Sequence, residues 1–425
     1  MKVVIVGQTL NRNRANKISG GIQTVERLHV KIFLDQGWEV FFLAPSDSDE
    51  FVSHLSFKLC KLRSPSEEFY TSDNYASKPK LSRSEKGKLN KSKAVDMTEW
   101  INEIEPDLII NHSFSSSHIR VVTKFSKTIP TMCFVHNLPD TAMDIGIIAK
   151  LQFYLELTKN GSFLVNVTKY QRDLWRSALK KRVASGSESF KFISDTEIDQ
   201  VYDRVCAPVY VDDQEVKEAG ERFIVITRLD PIKNLHGLLE LLSHPSVEPF
   251  PLDIFVAEPG SIDNNEYWST RVEPVMVELF TDEWDIKLHV NALREDLLKS
   301  LATASGNFVP CPIESASITL LEASIAGAKS IVFGKKRDDV LGHAAVDLLG
   351  PDNVCLIESK YSDESAIALQ KAVENISGEL KDRVNLHDYT LKNHSFSTRT
   401  YDIMKLVEDL QTSYSHVQKE AKLWE

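Results

Sequence analysis

The stretch FIVITRLDPIKN, residues 223–234, runs from a β-rich segment into two cations and then a helix-forming sequence. It predicts a strand ending at Thr227, with Arg228 and Lys233 in the loop beyond it. Asn234 is placed to cap a helix carrying Leu235, Leu238, Leu239 and Leu242 on one face. Two fixed cations beside a helix N-terminus suit a diphosphate, and for a departing diphosphate they neutralise charge that grows in the transition state. Further along, PCPIESASITLLEASIAGAKSIVF places Glu314 in a loop and Glu322 inside the helix that follows. Ile318, Leu321 and Ile325 form that helix's apolar face, Ser315 or Ser317 can cap it, and Gly327 stops it. A carboxylate can hold sugar or ribose hydroxyls in bidentate fashion, while helix-start amides meet phosphate. Each half has a plainer reading: strand-end cations are common, and acids near a helix start satisfy its dipole.

These residues need a scaffold, and the chain spells one. Lys2–Val6 reads as a strand ending at Gly7, and a helical stripe of Ile22, Val25, Leu28, His29, Ile32 and Phe33 stops at Gly37. Strands are expected at 39–43, 107–110, 131–135 and 163–167, with helix-length segments between them. A second series at 223–227, 252–257, 287–290, 307–309, 330–333 and 354–357 repeats the parallel βαβ rhythm. The expected division is an N-terminal domain over 1–208, a C-terminal domain over 209–398 and a closing helix over 399–425. The polar segment from Cys206 to Glu221 reads as the linker. One stretch breaks the rhythm. Lys58–Lys93 carries ten basic and four acidic residues with little to bury, and is expected to be an exposed loop.

The order strand, Arg-Leu-Asp-Pro-Ile-Lys-Asn, helix, then Glu314, seven residues, Glu322-Ala, Ala-Gly and a strand resembles retaining glycosyltransferases of family 4. The resemblance covers 223–333 well, and residues 46–200 only as a βα rhythm. It implies α/β architecture of the GT-B kind, two Rossmann-like domains facing each other across a cleft. A nucleotide-sugar donor would lie on the C-terminal domain and a hydroxyl acceptor on the N-terminal one, with the last helix crossing back. Arg228 and Lys233 would then hold the donor diphosphate, Glu314 the donor sugar and Glu322 the ribose. Gly20 and Gly21 resemble the family's glycine loop near the phosphates, and Ser315, Ser317 and Ile318 would add donor contacts. A histidine after a strand such as 131–135 lines the family's reaction centre, which marks His136. Its structural alternative is a solvated strand end. His112, in NHSFSSSH, is a further acceptor-side candidate, with Arg12 and Arg14 in the first loop. The family's glycine-rich turn after the first glutamate is replaced here by Ser315-Ala316-Ser317. That departure keeps open a catalytically silent protein that binds a nucleotide sugar or glycan. A sugar epimerase on a similar fold is a third reading.

Composition narrows the classes. The 425 residues are 42% hydrophobic and 26% charged, with 17 Gly and 16 Pro, which excludes collagen-like and globally disordered chains. No apolar run approaches a membrane span, and the opening MKVVIVGQTLNRNR reads as strand and basic loop rather than signal peptide. The odd number of scattered cysteines makes neither a disulfide framework nor a zinc spacing, so a cytoplasmic protein is expected. Asp47 and Asp49 spell a possible metal pair but sit in a polar loop and read as solvated, so neither a metal nor another cofactor is expected. Residues 1–208 carry 29 Lys and Arg against 24 Asp and Glu, the remainder 21 against 37. Surface drift explains this as well as a polyanionic partner does. Because the basic segment lacks apolar anchors, duplex DNA with a modified base, as in phages, is the expected acceptor. An envelope glycan or lipid at an anionic membrane surface is the alternative, and no protein partner is expected.

Overall fold

The computed structural model describes residues 1–7, 21–45, 58–62, 83–113, 115–139, 146–185, 193–207, 211, 213–257, 262, 265–281, 284–337, 340–376 and 378–423. The chain divides into two compact units. One runs from the first strand to the seventh and takes in Thr400–Glu425; the other spans Val209–Arg399.

The first unit is a seven-stranded parallel sheet. Its strands are β1 (Lys2–Val6), β2 (Glu39–Pro45), β3 (Lys58–Leu62), β4 (Leu108–Asn111), β5 (Thr131–Val135), β6 (Phe163–Asn166) and β7 (Arg204–Val205). Their spatial order is β3-β2-β1-β4-β5-β6-β7. The order reverses between β1 and β4, the kind of position where open α/β sheets bind ligands beyond their strand ends. Because side chains alternate along a strand, Val4 and Val6 enter one core with Ile109, Val135 and Leu164. The helices 83–104, 116–125, 146–159 and 169–184 add Met97, Ile101, Ile119, Leu157 and Trp175 to it. Local signals set the helix starts. Ser115 and Thr168 each accept an amide from the first turn, and Ser194 forms a capping box with Glu197. Each such cap contributes about 1 kcal/mol. The long helix Phe396–Leu423 ends in this unit. There the Tyr414 hydroxyl and the Gln418 amide both donate to the Lys127 carbonyl, at 3.0 and 3.1 Å. Gly161, at φ +77°, admits this helix: a Cβ there would lie 2.9 Å from the Tyr414 Cα.

The expected loop over Lys58–Lys93 is corrected at both ends. Lys58–Leu62 is β3, paired with β2 in register from Phe41↔Lys58 to Pro45↔Leu62, because Cys60 and Leu62 reach the core. Residues 83–104 are helical, since lysine is a good helix former and Ala94, Met97, Ile101 and Ile104 anchor the distal turns. The centre of the segment lies outside the described residues.

The second unit holds β8 (Phe223–Arg228), β9 (Leu252–Ala257), β10 (Ile286–Val290), β11 (Gly306–Val309), β12 (Lys329–Arg337), β13 (Val340–Gly342) and β14 (Val354–Glu358). The order is β10-β9-β8-β11-β12, with β14 parallel to β12 and β13 antiparallel to its far end. Alternation again splits the core. Phe223 and Val225 face Leu238, Val272 and Leu369, while Ile224 and Ile226 face Leu297, Leu301 and Ala323. The 213–221 stretch read as a linker is packed here. Gly220 donates to the Thr303 carbonyl, and the Lys217 carbonyl accepts from Arg383.

Arg383 is the largest fully buried side chain among the described residues. Its guanidinium donates to the carbonyls of Lys217, Ala302, Ala304 and Ala326 at 2.6–2.9 Å. Three of these belong to the ends of helices Arg294–Thr303 and Ile318–Ile325, where unpaired carbonyls concentrate negative charge. One cation thus closes two helices.

Candidate functional site

In the second unit, β8 delivers Arg228 at its exposed end. The Asp230 carboxylate accepts the Ile232 amide at 3.0 Å and starts the single turn Pro231–Lys233. Lys233 leaves that turn and forms a short ion pair with Glu314, which lies in the loop after β11. Burial pulls the Lys233 ammonium down most strongly, but the Glu314 charge, the Cys311 sulfur and the hydrogen bond to Glu314 together outweigh it and leave lysine above its ordinary range; Arg228 works weakly the other way. Arg228, Lys233 and Glu314 therefore form one electrostatic group.

Asn234 departs from expectation. It precedes the helix Leu235–Leu242 in a left-handed conformation, φ 57°, and its side chain makes no cap. Its amide donates instead to the Pro310 carbonyl and the Ser359 hydroxyl, at 3.3 and 3.1 Å, tying the loops after β11 and β14 to the cation turn. Cys311 and His343 complete that frame. The Cys311 thiol lies 3.1 Å from the Ile232 carbonyl, and burial pushes its pKa up to about 12, so it stays protonated. His343 accepts the Ala345 amide at Nδ1, which puts its proton on Nε2 to meet the Cys311 carbonyl at 3.0 Å.

Ser317, rather than Ser315, caps the helix Ile318–Ile325, its hydroxyl accepting from the Leu320 amide. The cap turns that hydroxyl toward the helix, so the Ser-Ala-Ser turn presents less bulk at this position than its composition suggests. Ile318 opens the helix, and Glu322 is buried inside it. Burial raises the Glu322 carboxyl above its usual range while Arg294 opposes this by direct pairing with Oε1. Glu322 thus answers to Arg294, a residue that no motif singled out, rather than to Arg228 or Lys233.

In the first unit, His136 follows β5 and His112 follows β4, so neighbouring parallel strands bring their ends together. The loop after β5 is pinned from the helix Lys169–Ala184. Gln171 donates to the carbonyls of Val135 and Asn137, both at 3.0 Å, and the Trp175 indole donates to Asn137 at 2.9 Å. His112, expected on the acceptor side, is fully buried between the ends of these strands and the first helix. Its Nδ1 lies 2.9 Å from His136 Nε2, and its Nε2 lies 3.0 Å from Nδ1 of His29 on the helix Gly21–Asp35. Burial lowers all three imidazoles, His29 and His136 to about 3 and His112 well below its ordinary value. Gly21 is the first residue of that helix; Arg12, Arg14, Gly20, Asp47 and Asp49 lie outside the described residues. Among the described residues, no helix is long and apolar enough to cross a membrane.

No protein-family model matches the sequence, and no curated protein matches it. Solved structures match it along nearly its whole length. Sucrose-phosphate synthase from Thermosynechococcus elongatus is 11% identical with a TM-score of 0.67, over 97% of this chain and 99% of its own. Anabaena HepE, solved in complex with UDP-glucose, is 12% identical at a TM-score of 0.61, over 96% and 99%. The catalytic domain of starch synthase IV from Arabidopsis thaliana, bound to ADP and acarbose, is 11% identical at 0.59, over 97% and 99%. At these identities the likeness is one of backbone architecture. Two Rossmann-like units matched end to end by these glycosyltransferases give the chain the GT-B fold.

Proposed function

We propose that this protein is a glycosyltransferase that moves a sugar from a nucleotide-sugar donor to a hydroxyl, with retention of configuration and without a metal. The observation that carries the reading is the Lys233–Glu314 pair beside Arg228. With no donor bound, lysine and carboxylate satisfy each other. A diphosphate would take Lys233 and Arg228, and the released Glu314 would accept hydrogen bonds from the donor sugar's hydroxyls. Glu322 would receive the ribose, in exchange with Arg294. HepE and starch synthase IV, solved with UDP-glucose and ADP, support a nucleotide-sugar donor. The test is incubation with a panel of nucleotide sugars and acceptors, following nucleoside diphosphate release and the product linkage by NMR. Release with a retained anomer is expected; an inverted anomer, or tight binding without turnover, would overturn the reading.

For the acceptor, the proposal remains duplex DNA ahead of a glycan or lipid at an anionic membrane surface. The basic helix start at Arg83 supports it. Arg176 and Lys180 support it less, because Asp199 and Asp203 already pair with them. Binding to DNA and to anionic vesicles across a salt series decides between the two. DNA affinity that falls steeply with salt is expected. Vesicle binding without DNA binding at low salt would assign the acceptor to the membrane.

A further inference from the structure

The helix Ser116–Phe125 follows β4, at the place where the sheet order reverses between β4 and β1. Its first turn carries no acidic residue. Ser115 accepts the His118 amide at 3.2 Å and shares a 2.8 Å hydrogen bond with the Ser117 hydroxyl. Helix geometry leaves the Ser116 and Ser117 amides without an intrahelical carbonyl. His118, in that same turn, is 3% exposed, and both its ring nitrogens are buried with no hydrogen-bond partner. Buried polar side chains without partners are rare and costly. Helical side chains lean toward the helix start, so the ring overhangs the turn that bears the free amides.

Lys93, on the helix 83–104 that packs against this one, is a second unmatched group. Its charge adds to burial in lowering His118 to about 4. Burial lowers Lys93 as well, and among the described residues no carboxylate offsets that. An ammonium, an imidazole N–H, a serine hydroxyl and helix-start amides are all donors, so the partner they lack is an acceptor. A cation would meet the Lys93 charge, and a water would satisfy His118 but leave that charge unanswered. Donors of four kinds suit an anion with several oxygens. We infer that the helix start 116–118 and Lys93 form a phosphate site, in which Lys93 supplies the charge while His118 and Ser117 direct hydrogen bonds to the oxygens. The site lies in the unit expected to hold the acceptor, so the phosphate is one that the acceptor carries. That last link rests on the proposed function and its DNA acceptor; the site itself does not.

The experiment titrates 15N-histidine-labelled whole protein with inorganic phosphate at neutral pH and constant ionic strength, following the His118 imidazole by NMR. A saturable shift at His118 is expected. Lys93→Gln should weaken it about tenfold, the loss of one charge-assisted hydrogen bond. No shift at His118, or equal affinity in Lys93→Gln, would overturn the inference. Stability supplies the second arm. Without phosphate, His118→Leu should unfold at or above the wild-type midpoint, because a buried orphan gives way to an apolar group of similar size. A midpoint well below that of the wild type would show that the ring is held by packing, and would also overturn the site. Duplex DNA is the third probe. Its affinity should fall in His118→Leu, a change that removes no charge at neutral pH. Unchanged DNA affinity beside lost phosphate binding would assign the site to free phosphate and overturn the acceptor link. Phosphate binding as expected in a wild-type protein that transfers no sugar would defeat the proposed function alone.

Discussion

Lys233 and Glu314 neutralise one another at the end of β8, and Arg228 beside them adds a second positive charge. That residual charge is what a diphosphate would meet, and it needs no divalent ion to form. Transfer is therefore expected to survive EDTA, measured as initial rate with and without chelator. Complete loss restored by Mg²⁺ would instead bring Asp47 and Asp49 back as metal ligands. At this scale spacing within two short segments singled out Arg228, Lys233, Glu314 and Glu322, and the fold pairs Lys233 with Glu314. Arg294 was not singled out, because its pairing with Glu322 joins two helices that only the fold brings together. His29 sat in plain view on the apolar stripe of the first helix, yet nothing local announces that His112 and His136 await it.

The elements followed their alternation and caps closely. Strands β1, β5 and β9 begin and end where the β-branched and aromatic runs do. The misreadings share a cause. β3 and the helix 83–104 are lysine-rich, so composition argued against burial, although one buried residue in two or four suffices to fix such an element. β13 is three residues long and owes its existence to the end of β12 rather than to its own sequence. Arg383 shows the same dependence on context: an arginine on a helix reads as surface until two helix ends converge on it. Arg383→Leu should cost at least ~3 kcal/mol in chemical denaturation, since four carbonyls lose their donor and each buried orphan costs roughly 1–3 kcal/mol. A loss below about 1 kcal/mol would mean that water replaces the guanidinium.

For the whole molecule, buried histidines couple folding to pH. His29, His112, His136, His118 and His394 all have lowered values in the folded chain, chiefly through burial, the last two reaching about 4. The unfolded chain protonates them near the ordinary value of about 6.5. Between that pH and the folded values the unfolded state binds more protons, so stability falls as pH falls, by about 1.4 kcal/mol per unit for each fully coupled histidine. Urea denaturation midpoints should decline steadily from pH 6.5 toward 4. A flat profile over that window would contradict neutral burial of these histidines.

The proposed transfer depends most on Arg228 at the end of β8 and Lys233 in the turn beyond it. The direct measurement is the rate of sugar transfer by wild type, Arg228→Ala and Lys233→Ala, with each variant's unfolding midpoint recorded alongside. Loss of one group that stabilises developing charge typically costs ~10²–10³ in rate. Each variant should therefore lose kcat on that scale; Arg228→Ala should keep an unfolding midpoint close to that of the wild type, whereas Lys233→Ala, which leaves Glu314 without its partner, should lower the midpoint but still fold. Folded variants with wild-type kcat would show that the diphosphate departs from somewhere else.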